Sequence, residues 1–355
     1  MMPSNFPVPA SVCLLRLSAL GDVCHCIALV RALQRAWPET RISWIIGPLE
    51  HQLVADLPDV EFIVHNKRDG LSGLWALRRR LKRRRFDWLL HAQVSLRANL
   101  IASQVRYRYR LGFDRRRARE GHQWLRGFRI ASVHQQHQAD AMLEFARFFS
   151  IDTEQIDPAP PIPEGARAFA RLHQPTPRRA VLISPASSHS GRNWSATAYA
   201  ELNDWIQDTL ERPVILIGGP SASEKSLADS ICRQAHKPPL NLVGQDTLKQ
   251  ALAMLDRAAC LVTPDSGPAH FASALGTPVV GLYAATWSQR SGPRSSLDLC
   301  VDRYPEAARQ FMGKAPDALR WGQRIEKPGV MGLIDVDSVK HKLELALSRQ
   351  QQRRS

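Results

Sequence analysis

Apolar runs of strand length alternate with longer stretches that are apolar every three or four positions along most of this chain. "SVCLLRLS" (11–18) is short, apolar and followed by turn residues, and reads as a buried strand. Val23 to Ala36 carries Ile27, Val30, Leu33 and Gln34 at helical spacing. "RISWIIG" (41–47) and "VEFIVH" (60–65) read as further strands, 71–84 as a helix, "DWLLHA" (87–92) as a strand and 95–106 as a helix. Such alternation predicts parallel βαβ units.

The texture changes at "IDTEQIDPAPPIPEG" (151–165), where prolines 158, 160, 161 and 163 make a stiff linker. The pattern then restarts. Strands are predicted at 180–186, 213–219, 260–267 and 278–283, and helices at 195–209, 221–234, 246–258, 268–275 and 337–349, after which "RQQQRRS" is expected to fray. Two α/β halves of similar size predict a cleft between them. Ligands of such sheets bind outside the carboxyl ends of the strands, so the loops after strands carry the search.

The charge adds a partner to this picture. The chain of 355 residues carries a net +15, which asks for an acidic partner: nucleic acid, phosphate or an anionic membrane face. Residues 78–129 hold seventeen Lys and Arg against three Asp and Glu, in the runs "RRRLKRRR" (78–85), "RYRYR" (106–110) and "RRRAR" (115–119). Solvated helix faces explain any one run; three in one window favour a functional basic surface. "MMPSNFPVPA" lacks the apolar region of a signal peptide, and no apolar run approaches the ~20 residues needed to span a bilayer. A cytoplasmic protein with reduced thiols is expected, with any membrane role peripheral.

Several motifs offer chemistry. Cys24 and Cys26 flank His25, but two positions apart on a helix they point about 200° away from each other, so buried thiols are the better reading. "GPSASEKS" (219–226) approaches the phosphate-loop pattern, yet Glu224 stands where a glycine must be and would repel phosphate. "DVD" (335–337) lies before the last helix, with Asp337 a natural N-cap. In "TPDSGPAHFASALGTPVVGLY" (263–283) a strand leads into Asp265, Ser266 and Gly267, and Pro268 fits the first turn of a helix with His270 beside it. That helix N-terminus is an anion site; alternatively Asp265 or Ser266 merely caps it and His270 is surface. "SPASSHSGRNWS" (184–195) supplies the hydroxyls of Ser187 and Ser188, the fork of Arg192 and an apolar wall in Trp194, or is a polar loop with Ser195 as N-cap. Asp22 follows a strand, a short turn and Gly21; it is a helix cap, or a carboxylate aimed into the cleft.

Together these segments resemble the heptosyltransferases, the ADP-heptose:lipopolysaccharide enzymes of glycosyltransferase family 9. "LLRLSALGDVCHCIALVRALQRAWPETRISWII" is similar to the family's opening strand–loop–helix–strand, "PDSGPAHFASALGTPVVGLY" to its donor loop and "GFDRRRARE" (112–120) to a mid-domain segment. The match covers most of 11–285 and is weaker over 286–330. The resemblance implies an α/β GT-B fold of two Rossmann-like domains: an acceptor domain over 1–155, a nucleotide-sugar donor domain over 156–330, and a final helix within 331–355 packing back on the first domain.

It further implies inverting transfer with no metal or other cofactor. Asp22 occupies the position of the family's general base. Ser187 and Ser188 fall where hydroxyls contact the donor phosphates, and Arg192 where members usually have lysine, two residues before a tryptophan. Asp265, Ser266, Gly267 and His270 match the donor loop. The implied donor is an ADP-sugar, and the implied acceptor the acidic, Kdo-bearing inner core of lipopolysaccharide at the cytoplasmic face of the inner membrane, met by the basic domain. Rival readings are a nucleotide-sugar epimerase on the same fold, a non-catalytic sugar-nucleotide scaffold, and a nucleic-acid binder, which would leave the donor loop and Asp22 without a role.

Overall fold

The computed structural model describes residues 6–352. It divides into two compact units at Pro161–Ile162, inside the proline-rich linker and a little beyond the boundary expected after residue 155.

The first unit is built on six parallel strands: β1 (Ser11–Leu15), β2 (Arg41–Ile46), β3 (Val60–Val64), β4 (Phe86–His91), β5 (Tyr107–Gly112) and β6 (Phe128–Arg129), in the order β3-β2-β1-β4-β5-β6. Val12 to Leu15 are wholly buried, because helices cover both faces of the sheet, and this is why β1 reads as an unbroken apolar run. The helix predicted from Val23 begins at Leu20 and ends at Ala36. Cys24 and Cys26 are buried in it, and burial pushes both thiols up to about 12. They are packing groups.

Two of the three basic runs meet at the amino ends of β4 and β5, where the Arg106 guanidinium donates to the Lys82 carbonyl at 3.3 Å and Arg85 and Arg106 line one pocket; the third lies at the other end of β5. "RRRLKRRR" ends the helix Gly70–Leu81 and leads into the amino end of β4. "RYRYR" is the start of β5, and its alternation leaves Arg106 and Arg108 outside and Arg110 buried. "RRRAR" lies beyond the carboxyl end of β5, where Arg117 pairs with buried Asp114. Four elements of this unit's sheet and α-helices were not predicted: β5, β6 and the helices Pro48–Val54 and Gln138–Arg147.

The second unit repeats the plan with β7 (Val181–Ile183), β8 (Val214–Leu216), β9 (Leu240–Asn241), β10 (Cys260–Pro264), β11 (Val279–Tyr283) and β12 (Val301–Asp302), in the order β12-β11-β10-β7-β8-β9. Read from its far edge, this is the winding of the first sheet. In each sheet the chain reverses direction beside the first strand, at β1/β4 and at β7/β10, and the carboxyl ends at such a switch point form the ligand crevice of a doubly wound fold.

The last helix runs Val336–Gln352; the expected fraying of "RQQQRRS" falls partly outside the described residues. Val339, Leu343, Ala346 and Leu347 are buried in the core of the second unit, with Leu282, Val301 and Leu299. The expected cap of this helix is corrected. Asp335 accepts from the amide and hydroxyl of Ser338, both at 2.7 Å, and these bonds hold its carboxyl down at about 2. Asp337 lies in the first turn and pairs with Lys340.

Candidate active site

In the first unit the loop after β1 is pinned on every side. The Trp44 indole donates to the Arg16 carbonyl at 3.0 Å, the Leu17 amide donates to Gln93 at 2.7 Å, and the Gly47 amide donates to the Leu17 carbonyl at 3.1 Å. A Cβ on Gly47 would stand 2.7 Å from that carbonyl, so the close approach requires glycine. The Ser18–Ala19 peptide is cis. The helix then starts at Leu20 with no side-chain cap. Asp22 is therefore not the cap.

Its carboxylate is instead gripped from two sides, by the Arg16 guanidinium on one oxygen and the Gln138 amide on the other. Arg16 is itself fixed by donating to the Ala92 carbonyl at the end of β4, at 2.6 Å. Asp22 keeps 14% of its side chain exposed, enough for a small polar group to reach it. Glu50, half-buried on the helix after β2, has its carboxyl raised by burial, offset in part by Lys67 and Arg16. Arg16, Gln138, Gln93 and Glu50 were missed in the sequence. The arginine stands inside an apolar run, and Gln138 is 116 residues from its partner.

In the second unit β10 ends at Pro264 and the helix Gly267–Ala274 follows, with proline in its first turn and no side-chain cap. Neither Asp265 nor Ser266 caps it. The Ser266 hydroxyl is 2.9 Å from that of Thr263, and Asp265 turns to Arg192 and Ser291, each at 3.4 Å. The first amides of the helix stay open to an anion, with half-buried His270 in the same turn.

Arg192 is buried, its Nε donates to Glu326 at 2.9 Å and its Nη1 faces Asp265. Two of its nitrogens thus face carboxylates, and buried Nη2 has no partner. The loop around it is self-braced: the Ser187 amide donates to Asn193 at 2.8 Å and its hydroxyl donates to the His189 carbonyl at 2.8 Å. Ser188 is exposed and borders a groove of about 810 Å³ between residues 188–195 and 326–332, large enough for a small-molecule ligand. Trp194 is no wall of that groove; it is buried on Tyr199 and its indole donates to the Ile334 carbonyl at 3.0 Å. Ser195 caps the following helix, as expected. Glu326 was missed because it lies in the segment where the sequence carried least signal.

The phosphate-loop reading of 219–226 fails for the reason given by its chemistry. The Glu224 carboxylate accepts the Gly219 amide at 2.6 Å and so occupies the place a phosphate would take. Among the described residues no group of three His, Cys, Asp or Glu side chains is placed to hold a metal ion, and no helix is long and apolar enough to cross a membrane.

A carboxylate thus stands at the switch point of one doubly wound sheet, and an uncapped helix N-terminus beside an Arg–Asp pair at that of a second; two such parallel-sheet α/β units make a GT-B-like fold. The chain belongs to glycosyltransferase family 9 (heptosyltransferase), whose sequence pattern matches residues 74–315. It is 34% identical over 95% of its length to the lipopolysaccharide core heptosyltransferase OpsX of Haemophilus influenzae, covering 97% of that protein. Its fold matches a family 9 glycosyl transferase of Veillonella parvula with a TM-score of 0.80 at 19% identity, over 98% of this chain and 100% of that one. It also matches the E. coli heptosyltransferase WaaC, solved with ADP, with a TM-score of 0.68 at 19% identity, over 95% and 99% of the two chains.

Proposed function

We propose that this glycosyltransferase moves heptose from ADP-heptose to the acidic inner core of lipopolysaccharide, a Kdo- or heptose-bearing lipid A, at the cytoplasmic face of the inner membrane. The observation that carries the sugar and the acceptor is the near full-length likeness to a lipopolysaccharide core heptosyltransferase. The likeness to a heptosyltransferase solved with ADP supports the nucleotide.

The transfer inverts the anomeric centre and uses no metal. The acceptor oxygen attacks the anomeric carbon as the bond from that carbon to the ADP oxygen breaks, through an oxocarbenium-like transition state. Asp22 takes the hydroxyl proton as general base, oriented by Arg16 and Gln138. ADP leaves with the bonding pair. The charge gathering on its phosphates is met by the open amides at Gly267, the hydroxyls of Ser188 and Ser266, His270, and the hydroxyl of Ser187 once it turns from the His189 carbonyl. Arg192 contributes through Asp265, which it holds toward the donor's hydroxyls.

The test is direct. Purified protein with ADP-heptose and a heptose-deficient core acceptor should yield one ADP per heptosylated product, with inverted anomeric configuration by NMR and an unchanged rate in EDTA. Turnover of ADP-heptose that does not need the acceptor would replace transfer by epimerisation or hydrolysis.

A further inference from the structure

Two helices on one face of the first sheet carry large apolar side chains on their outer sides. The helices Gly70–Leu81 and Leu96–Ala102 share one core beneath them, through Leu77, Leu81, Ala98 and Ile101. Outward they present Leu71 (76% exposed), Trp75 (72%), Leu96 (59%) and Leu100 (49%). Trp124, 80% exposed, stands beside the second helix: a Cβ on Gly121 would lie 3.6 Å from its ring and 3.7 Å from the Asn99 amide nitrogen. His65 packs on the first helix. Its ring would lie 3.3 Å from a Cβ on Gly73 of the first, and its imidazolium is disfavoured by burial and by nearby Arg97 of the second, against the pull of Asp69. Exposed apolar side chains gathered in this way mark an interaction site.

The charges on the same face say what kind. Leu71, Trp75, Arg78, Arg79 and Lys82 recur at positions i, i+4, i+7, i+8 and i+11, which is one side of a helix. Arg78, Arg79, Lys82 and Arg97 are all exposed, and among the described residues none of them holds a carboxylate. A tryptophan and leucines in line with unpaired cations suit the boundary of an anionic bilayer, where aromatic rings sit at headgroup depth and Lys and Arg meet lipid phosphates. We propose that this two-helix face docks the enzyme on an anionic lipid bilayer. The proposal deepens the reading of a lipopolysaccharide acceptor and rests on it for its purpose, because such an acceptor is itself anchored in a membrane.

The full-length protein is sedimented with vesicles of phosphatidylglycerol and phosphatidylethanolamine, and with phosphatidylcholine vesicles, at about 0.1 M salt, where the Debye length is about 10 Å. The expected result is preferential binding to the anionic vesicles. Arg78→Glu/Arg79→Glu should lower it by about fivefold or more for each charge removed, and Leu71→Ser/Trp75→Ser should lower it comparably. Transfer to a deacylated, lipid-free core acceptor should be unchanged in both variants, which also reports that they fold. Equal binding to both vesicle types, or wild-type binding by Leu71→Ser/Trp75→Ser, overturns the proposal. So does a dimer in sedimentation velocity that Leu71→Ser/Trp75→Ser converts to monomer, since a second copy would then cover the face. Variant-sensitive vesicle binding with no transfer to any acceptor upholds the docking face and overturns the transfer reading instead.

Discussion

The Arg16 guanidinium and the Asp22 carboxylate close on each other across the turn that joins β1 to its helix, and the Gln138 amide takes the second carboxylate oxygen. The base proposed for the reaction is thus held in one orientation before any substrate arrives, as preorganised catalysis requires. Asp22→Asn keeps the shape and much of the hydrogen bonding and removes the basicity. The expected loss in kcat is roughly 10²- to 10⁴-fold, with ADP affinity unchanged. Stopped assays with isothermal titration of ADP check it; wild-type kcat in Asp22→Asn would remove Asp22 from the chemistry.

Arg16 tests orientation separately from basicity. Arg16→Ala frees the carboxylate and also cuts the bond to the Ala92 carbonyl, so both stability and kcat should fall. Breaking a buried pair costs about 3 kcal/mol. Arg16→Lys restores the charge without the planar fork and should recover most of the stability but little of the rate. The rate per binding site decides the role: with orientation lost but the base present, kcat per ADP-binding site should fall, whereas damage to folding alone would lower the number of ADP-binding sites and leave kcat per site unchanged.

Much of this was legible in the sequence, and the parts that were not share a cause. The strand predicted at 41–47 and the helices predicted at 195–209 and 221–234 were recovered within a residue or two, because buried strands and amphipathic helices write their period directly. "RYRYRLG" hid β5, because alternating arginines read as a charged surface until their partners are known. Arg110 is buried there, donating to His91 Nδ1 at 3.2 Å and 2.9 Å from His122 Nε2. The candidate site divides the same way. Asp22 and Asp265 stand next to glycines after strands, where loop chemistry announces itself. Arg16, Gln138 and Glu326 work through contacts across sequence separations of 6, 116 and 134 residues, and nothing local in the chain marks them.

The Arg192–Asp265–Glu326 arrangement makes a prediction about nucleotide binding. Lysine at 192 has a single ammonium and cannot meet both carboxylates with the geometry of a guanidinium. Arg192→Lys should leave the fold intact and weaken ADP binding by a few-fold. Asp265→Ala leaves Arg192 buried beside one carboxylate and removes the acceptor proposed for the donor's hydroxyls, and should weaken binding by about 10- to 100-fold. If the two residues act as one unit, the double variant should lose far less than the product of the single losses. Calorimetric ADP titration of all four proteins measures this. Strict additivity would separate the pair.

The cluster around Arg110 should make the enzyme sensitive to acid. Burial lowers the Arg110 guanidinium to about 10 and, with the Arg110 charge beside it, pushes His122 down to about 3; burial and the same arginine hold His91 well below its ordinary value. Both imidazoles are neutral acceptors in the fold: His122 Nε2 takes the Phe113 amide at 3.1 Å. In the unfolded chain they protonate near 6.5, and in the folded chain they do not. As pH falls from 6.5 toward 3, the unfolded state binds protons that the native state refuses, and stability drops by up to about 1.4 kcal/mol per pH unit for each histidine. His122→Gln keeps an acceptor for the Phe113 amide and removes one titrating group. Urea unfolding between about pH 4.5 and pH 7 should therefore show a slope of stability against pH that is shallower in His122→Gln by up to one proton. An equal slope in the variant would mean that His122 takes its proton in the folded state, and that Arg110 does not exclude it.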